Sequence, residues 1–205
     1  MDVAVETVSG PIKLPRVGSD NVDFLQRLNS AVFPVKYSFQ FYKQILAGET
    51  IGRLAVLDPP FTASRAAMSS GSSAPECVGA IVARRQPYDF TQSYKGNFNT
   101  ADSDDMYIYR SRLEFQHRCQ NEMYVMTLGV LPQYRHLRIA TTLLDRLISD
   151  FSQIYGIHQV SLHMQTNNSV ALAFYLRYGF KIVKTVPGYY KNIDPPDAYI
   201  LTLTL

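Results

Sequence analysis

One stretch limits the folds open to this chain more than any other. Residues 123–131 read MYVMTLGVL, a strand-like run, and QYRHLRIATTLLDRL follows over residues 133–147. Ile139, Leu143, Leu144, Leu147, Ile148 and Phe151 recur at helical spacing, so the second half of the stretch is an amphipathic helix. A strand, a loop and a helix start together make an anion site. The first turn of a helix carries N–H groups with no carbonyl to meet, and the helix dipole adds partial positive charge there. Main-chain donors in the loop add to this. The pattern points to a ligand carrying a pyrophosphate.

The rest of the chain alternates strands and helices around that unit. Residues 3–8, VAVETV, alternate as a short strand or leader would, before Pro11 and Pro15. Asp20 or Asn21 can cap a helix in which Phe24, Leu25, Leu28 and Val32 share one stripe, and Phe33-Pro34 interrupts it. A second helix is expected over 38–46, closed by Gly48, with strands at 53–58 and 77–85. Past the anion loop, a strand at 159–165 leads to a helix that opens on asparagine and ends at Gly179. A strand and turn follow from Phe180, and AYILTLTL closes the chain with alternating Leu and Thr. This is an α/β (α+β) order, with no internal repeat. We expect one domain over residues 1–205 with two long insertions. Residues 59–76 are rich in Ser, Ala and Pro and poor in bulky aliphatics, which predicts a flexible loop. Residues 86–121 hold Tyr88, Phe90, Tyr94, Phe98, Tyr107, Tyr109 and Phe115, which predicts partial packing and an extra strand near 106–115.

Composition removes several classes. With 46% hydrophobic and 18% charged residues, the chain is globular. A net charge of +3 without a basic run suits an anionic cofactor but makes no case for a nucleic-acid site. Cys77 and Cys119 have no partners at metal-ligand spacing, and His117, His136, His158 and His163 form no HxH or HxxxH pair, so no metal is expected. No apolar run nears the roughly 18 residues of a membrane span, and the N-terminus lacks a signal-peptide pattern. The expected location is cytoplasmic.

Four segments carry a resemblance: VFPVKY near the start, MYVMTLGVLPQYR, SLHMQTNNSVALAFYLRYGF, and GYYKNIDPPDAY near the end. Together they make the chain similar to the NatE-type N-alpha-acetyltransferases, the San family of the GNAT superfamily. The resemblance covers a little over half of the chain. It implies the GNAT fold, a central mixed twisted sheet flanked by helices. It also implies acetyl-CoA as acetyl donor and a protein N-terminus as acceptor.

The resemblance assigns roles residue by residue. Tyr124 and His163 fall where this family holds a water that carries the proton away from the amine. A histidine near pKa 6.5 is the side chain best suited to accept it at neutral pH. Tyr124, Met126 and Leu128 share one strand face, so a catalytic group, a substrate wall and a cofactor contact line up. Leu128, Val130, Arg135, His136, Arg138, Ile139, Ala140 and Thr141 match the cofactor segment. Asn168 and Tyr175 match the groups that meet the pantetheine arm and the sulfur. The Leu128 N–H would support the oxyanion. Phe33, Pro34, Val35 and Tyr37 match the wall of the first substrate residue, with Met126, Tyr189, Tyr190 and Ile193 opposite. The implied acceptor is an N-terminal methionine followed by a hydrophobic residue, on nascent or mature proteins. The amine's own chemistry agrees. An α-amine titrates near 7.7–8.0 and lysine near 10.4, so the neutral nucleophile is about a few hundred times commoner at the N-terminus.

One position departs from the family. The phosphate loop R-x-x-G-x-A reads Arg135-His136-Leu137-Arg138-Ile139-Ala140, with arginine in place of glycine. Glycine there would allow close approach and unusual dihedrals. Arg138 either obstructs the anion or contributes charge to it. The alternative function is a catalytically weak homologue that acts as a structural partner in a NatA-like or ribosome-associated assembly. The retained tyrosine, histidine and substrate walls favour activity.

Overall fold

A computed structural model describes residues 6–7, 10–57, 75–87, 121–191 and 193–205. The flexible loop expected over 59–76 lies outside those residues except at its end, where Glu76 already opens a strand. The strand expected near 106–115 lies outside them. In chain order the elements are β1 (Glu6–Thr7), β2 (Gly10–Lys13), α1 (Val22–Val32), α2 (Phe39–Leu46), β3 (Thr50–Leu57), β4 (Glu76–Pro87), β5 (Asn121–Val130), a 3-10 turn (Pro132–Tyr134), α3 (Ile139–Tyr155), β6 (Ile157–Gln165), α4 (Ser169–Tyr178), β7 (Lys181–Val186) and β8 (Ala198–Thr204). The sheet is mixed and carries helices, as the element order implied.

The chain divides into two compact units. The first draws on Met1–Arg84 and Val125–Ser149, the second on Arg85–Tyr124 and Asp150–Leu205. In the first unit the strand order is β1-β2-β3-β4-β5. β3 pairs antiparallel with β4 through Gly52↔Val82 and Leu54↔Ala80. The predicted stripe on α1 buries Leu25 and Leu28, and Phe41 and Ile45 of α2 join them against Leu54, Ala80 and Val82. α1 starts without the expected side-chain cap. Asn21 faces backwards instead, accepting from Gly18 N at 2.9 Å and donating to the Arg16 carbonyl at 3.0 Å, which locks the entering turn. Pro11 lies in β2, a strand the pattern did not suggest. Its lost donor is tolerated near a strand start.

In the second unit β8 lies between β6 and β7. Leu201 of β8 faces Leu162 on one side and Ile182 on the other, and is fully buried. The closing Leu/Thr run is a strand as expected, but its burial does not alternate: Ala198 and Leu201 are buried, and Thr202 and Leu203 are both half-buried. α4 begins as predicted, with Asn168 Oδ1 accepting from Ala171 N at 3.1 Å. It ends at Gly179, whose N–H meets the Tyr175 and Leu176 carbonyls.

Candidate active site

The second unit holds a tight polar cluster. His163 sits on β6 opposite Ile200 of β8. Tyr124 Oη lies 3.2 Å from His163 Nδ1. This is direct hydrogen-bond distance, too short for a water between the two atoms. The reading of a water held between them is thus replaced by direct contact. Tyr189 completes the group: its hydroxyl is 3.4 Å from Tyr124 Oη. Its ring stacks on the imidazole at 4.4 Å and 13°. Burial lowers the His163 pKa below its usual 6.5, because the imidazolium would lose water. The neutral form of His163 is therefore favoured at pH 7.

Residues 187–197 form the loop that presents Tyr189. Gly188 adopts φ +63°, a conformation that favours glycine, and donates to Asp197 Oδ1 at 2.9 Å. Tyr190 N donates to the Pro196 carbonyl at 2.8 Å. Tyr190 packs edge-on against Tyr189. Tyr190's pKa is raised, first by burial and then by Tyr189. Tyr175 of α4 is almost fully buried. Burial pushes its phenol pKa well up, with Tyr190 adding to the effect, so it stays protonated. Ile193 is half-buried. The Asn168 oxygen is taken by its helix, which leaves its Nδ2 donor for a ligand.

In the first unit, β5 alternates as the sequence implied. Met123, Val125 and Thr127 are buried, while Tyr124, Met126 and Leu128 are half-buried on the other face. Phe33 and Val32 lie where a Cβ on Gly129 would fall, within 3.0 Å. Glycine at 129 is what lets the Phe33 loop press onto β5. From Phe33 an aromatic ladder runs to Tyr37 at 5.7 Å and on to Phe41 at 4.7 Å. Tyr37 and Met126 pack against the same core cluster. Pro34 and Val35 are exposed.

The anion loop follows β5. Arg135 Nε donates to the Val130 carbonyl at 3.3 Å, tying the loop to the strand end. Val130 and Ile139 are both buried, so their side chains anchor the loop. The Arg138 carbonyl accepts from Thr142 N at 2.9 Å and from Thr142 Oγ1 at 3.1 Å, so Arg138 caps α3. The N–H groups of Ile139, Ala140 and Thr141 are then the unpaired donors of the first turn. His136 and Arg138 stand at φ +65° and +59°. Arg138 thus holds the left-handed conformation that glycine would supply without strain. The donor set fits a pyrophosphate: helix N–H groups, Arg135 and Arg138. Among the described residues no His/Cys/Asp/Glu cluster could hold a metal, and no helix is long and apolar enough to cross a membrane. Cys77 is half-buried, and burial pushes its thiol up to about 11, so it is no nucleophile at neutral pH.

A model of the acetyltransferase (GNAT) family matches residues 72–180. N-alpha-acetyltransferase 50 of Danio rerio is 29% identical over 198 residues, which is 97% of this chain and 91% of the relative. The probable N-acetyltransferase san of Drosophila melanogaster is 30% identical over 194 residues, covering 95% and 81%. The chain belongs to the GNAT family. Among solved structures, Arabidopsis thaliana Naa50 in complex with the bisubstrate analogue CoA-Ac-MVNAL superposes with a TM-score of 0.66 and 28% identity. That match covers 97% of this chain and 100% of the other.

As a GNAT protein the chain is an acetyltransferase, and acetyl-CoA is the acetyl donor of the family. The sequence reading named the residues of both polar clusters but missed two that support them. Gln165 Nε2 donates to the Pro195 carbonyl at 2.8 Å, and Asp197 accepts from Gly188. Neither carries a local sequence signal, because each bond joins residues that only the folded strands bring together.

Proposed function

We propose that this chain is an N-terminal acetyltransferase that transfers acetyl from acetyl-CoA to the α-amine of Met-initiated peptides with a hydrophobic second residue. The direct Tyr124–His163 contact carries the reading, since it pairs a neutral histidine with a hydroxyl that can pass a proton to it. The acceptor class is supported by the peptide-bearing analogue in the Arabidopsis relative and by the aromatic wall from Phe33 to Phe41.

Acetyl-CoA supplies the acyl group as an activated thioester. The α3 start, Arg135 and Arg138 hold its pyrophosphate, and Asn168 Nδ2 meets the pantetheine arm. The family resemblance assigns the methionine wall to Phe33, Pro34, Val35, Tyr37 and Met126 and, separately, to Tyr189, Tyr190 and Ile193. At the amine, one proton passes to a water held by the pair. With Tyr124 and His163 in direct contact, that water sits beside them and gives a proton to Tyr124 Oη. The Tyr124 proton then moves to His163 Nδ1. Tyr175, kept protonated by burial, would offer its hydroxyl as a hydrogen-bond donor to the departing thiolate, which would take its proton from solvent. The Leu128 N–H stabilises the developing oxyanion. The α-amine needs only this modest base, whereas lysine would have to shed its proton at a pKa about 2.5 units higher. The same reading places the enzyme in the cytoplasm, among nascent and mature N-termini.

A second reading is favoured by Arg138 and His136, both at positive φ. It makes the chain a weak catalyst kept as a partner of a NatA-like or ribosome-bound assembly. One assay separates the two: acetyl transfer at saturating acetyl-CoA to a Met-Leu peptide, with a Ser-initiated peptide as control. Turnover on Met-Leu and little on Ser is expected. No turnover on either peptide would move the assignment to the non-catalytic partner.

A further inference from the structure

We infer that Asp197 and Gln165 are positioning residues that hold the 187–197 loop so that Tyr189 covers His163. The loop leaves β7 and rejoins β8 on one rung, since Val186 and Gln165 both pair with Ala198. Its two ends are therefore fixed by the sheet. Two side chains brace the residues just inside those ends. Asp197 Oδ1 accepts from Gly188 N at 2.9 Å and fixes the turn at φ +63° just before Tyr189. Gln165 Nε2 reaches the Pro195 carbonyl at 2.8 Å. Gln165 is two residues beyond His163 and so shares its strand face. One face of β6 thus carries both the base and the tether of the loop that covers it. The main-chain bonds Tyr190 N to Pro196 O (2.8 Å) and Thr166 N to Asp197 O (3.1 Å) complete the frame.

The geometry at the other end shows what the frame is for. Tyr189 is 41% exposed, so burial of its own ring does not hold it in place. Yet it lies 4.4 Å from the imidazole and nearly parallel to it, with its hydroxyl 3.4 Å from Tyr124. An exposed ring keeps such an arrangement only if its main chain is fixed. Neither Asp197 nor Gln165 touches the reacting atoms, so both act through Tyr189 and the peptide it faces.

This inference rests on Tyr124 and His163 as the proton-handling pair, and its test is arranged to separate the two ideas. Steady-state kinetics with acetyl-CoA and a Met-Leu peptide are measured for the full-length wild type, Asp197→Ala, Asp197→Asn and Gln165→Met. Removing a tether is expected to raise the peptide KM by about threefold to tenfold, the effect of one lost hydrogen bond. The acetyl-CoA KM stays unchanged. Asp197→Asn keeps an acceptor oxygen and is expected to restore the wild-type peptide KM. Wild-type kinetics in Asp197→Ala and Gln165→Met would overturn the inference while leaving the catalytic assignment standing. Equal damage in Asp197→Ala and Asp197→Asn, or a parallel rise in the acetyl-CoA KM, would also overturn it, since a general structural loss does both. Should Asp197→Ala not fold, Gln165→Met carries the same comparison. An inactive wild type would instead refute the catalytic reading itself.

Discussion

The anion loop and the Tyr124–His163–Tyr189 cluster solve their structural problems in opposite ways. The cluster is fully supported: each ring has a stacking or hydrogen-bond partner, and the loop above it is tied by side-chain and main-chain bonds. The anion loop instead carries strain, with His136 and Arg138 both in left-handed conformations. Strain of this kind costs on the order of 1–3 kcal/mol per residue and persists where the surroundings enforce it. Here the enforcement is visible: Thr142 binds the Arg138 carbonyl twice, Ile139 is buried behind it, and Arg135 reaches back to β5. The loop keeps the backbone that a glycine would give, although the residue is arginine. What the comparison teaches is that a departure in residue type need not be a departure in shape.

The largest effects should come from the cluster. His163→Ala is expected to lower kcat by about a hundredfold to ten-thousandfold, the usual range for losing a general base, without changing acetyl-CoA affinity. Tyr124→Phe should follow in the same direction, because it removes the hydroxyl that meets Nδ1. Steady-state kinetics for both, with acetyl-CoA binding by calorimetry, check this. If either variant loses cofactor affinity instead of kcat, the division of labour drawn above is wrong.

Next in size is the substrate wall. Phe33→Ala opens a gap against Gly129 and removes the first ring of the ladder. The peptide KM should rise by roughly tenfold or more, in keeping with the 1–3 kcal/mol that an apolar pocket contact contributes to discrimination. Comparing Met-Leu with Ser-initiated peptides shows whether preference narrows with it.

Arg138→Gly addresses the comparison itself. If strain dominates, the change should raise Tm, because relief of about 1–2 kcal/mol outweighs the extra chain entropy of glycine. It should leave acetyl-CoA affinity unchanged, since the loop already holds the shape before the ligand binds. That is the expected result. Weaker binding that also loses salt dependence would show that the Arg138 charge outweighs its strain.

The smallest effect concerns pH. On the proposed mechanism His163 acts as the neutral base, so the rate should rise as pH climbs through its pKa. Burial lowers that pKa below 6.5 and moves the limb to lower pH. Tyr189→Ala exposes the ring, so the limb should move up toward the ordinary histidine value. The substrate amine adds its own limb near 7.7–8.0, identical in both enzymes, so the difference between them isolates His163. Tyr124 and Tyr189 are the titratable groups in contact with the imidazole.

Much of this was legible in the residues. The stripe from Ile139 to Phe151 predicted α3, and alternation predicted which face of β5 carries Tyr124, Met126 and Leu128. The Asn168 cap and the Gly179 stop were readable because local chemistry decides helix ends. Other features were not. Asn21 has the composition of a cap yet binds backwards, since several backbone partners compete for one short side chain. The direct Tyr124–His163 contact joins residues far apart in sequence, and no local pattern specifies whether a water intervenes. The tethers Gln165 and Asp197 depend on the register of β6, β7 and β8, which only the folded sheet fixes.

The measurement that tests the central claim most directly uses a peptide with a Met-Leu N-terminus and an internal lysine. Wild type and His163→Ala are incubated with it and acetyl-CoA, and mass spectrometry locates the acetyl group. The account predicts acetylation at the α-amine alone by the wild type, and at least a hundredfold less product from His163→Ala, the lower end of the loss expected for a missing base. Acetylation of the internal lysine at a matching rate, or equal product from both enzymes, would contradict it.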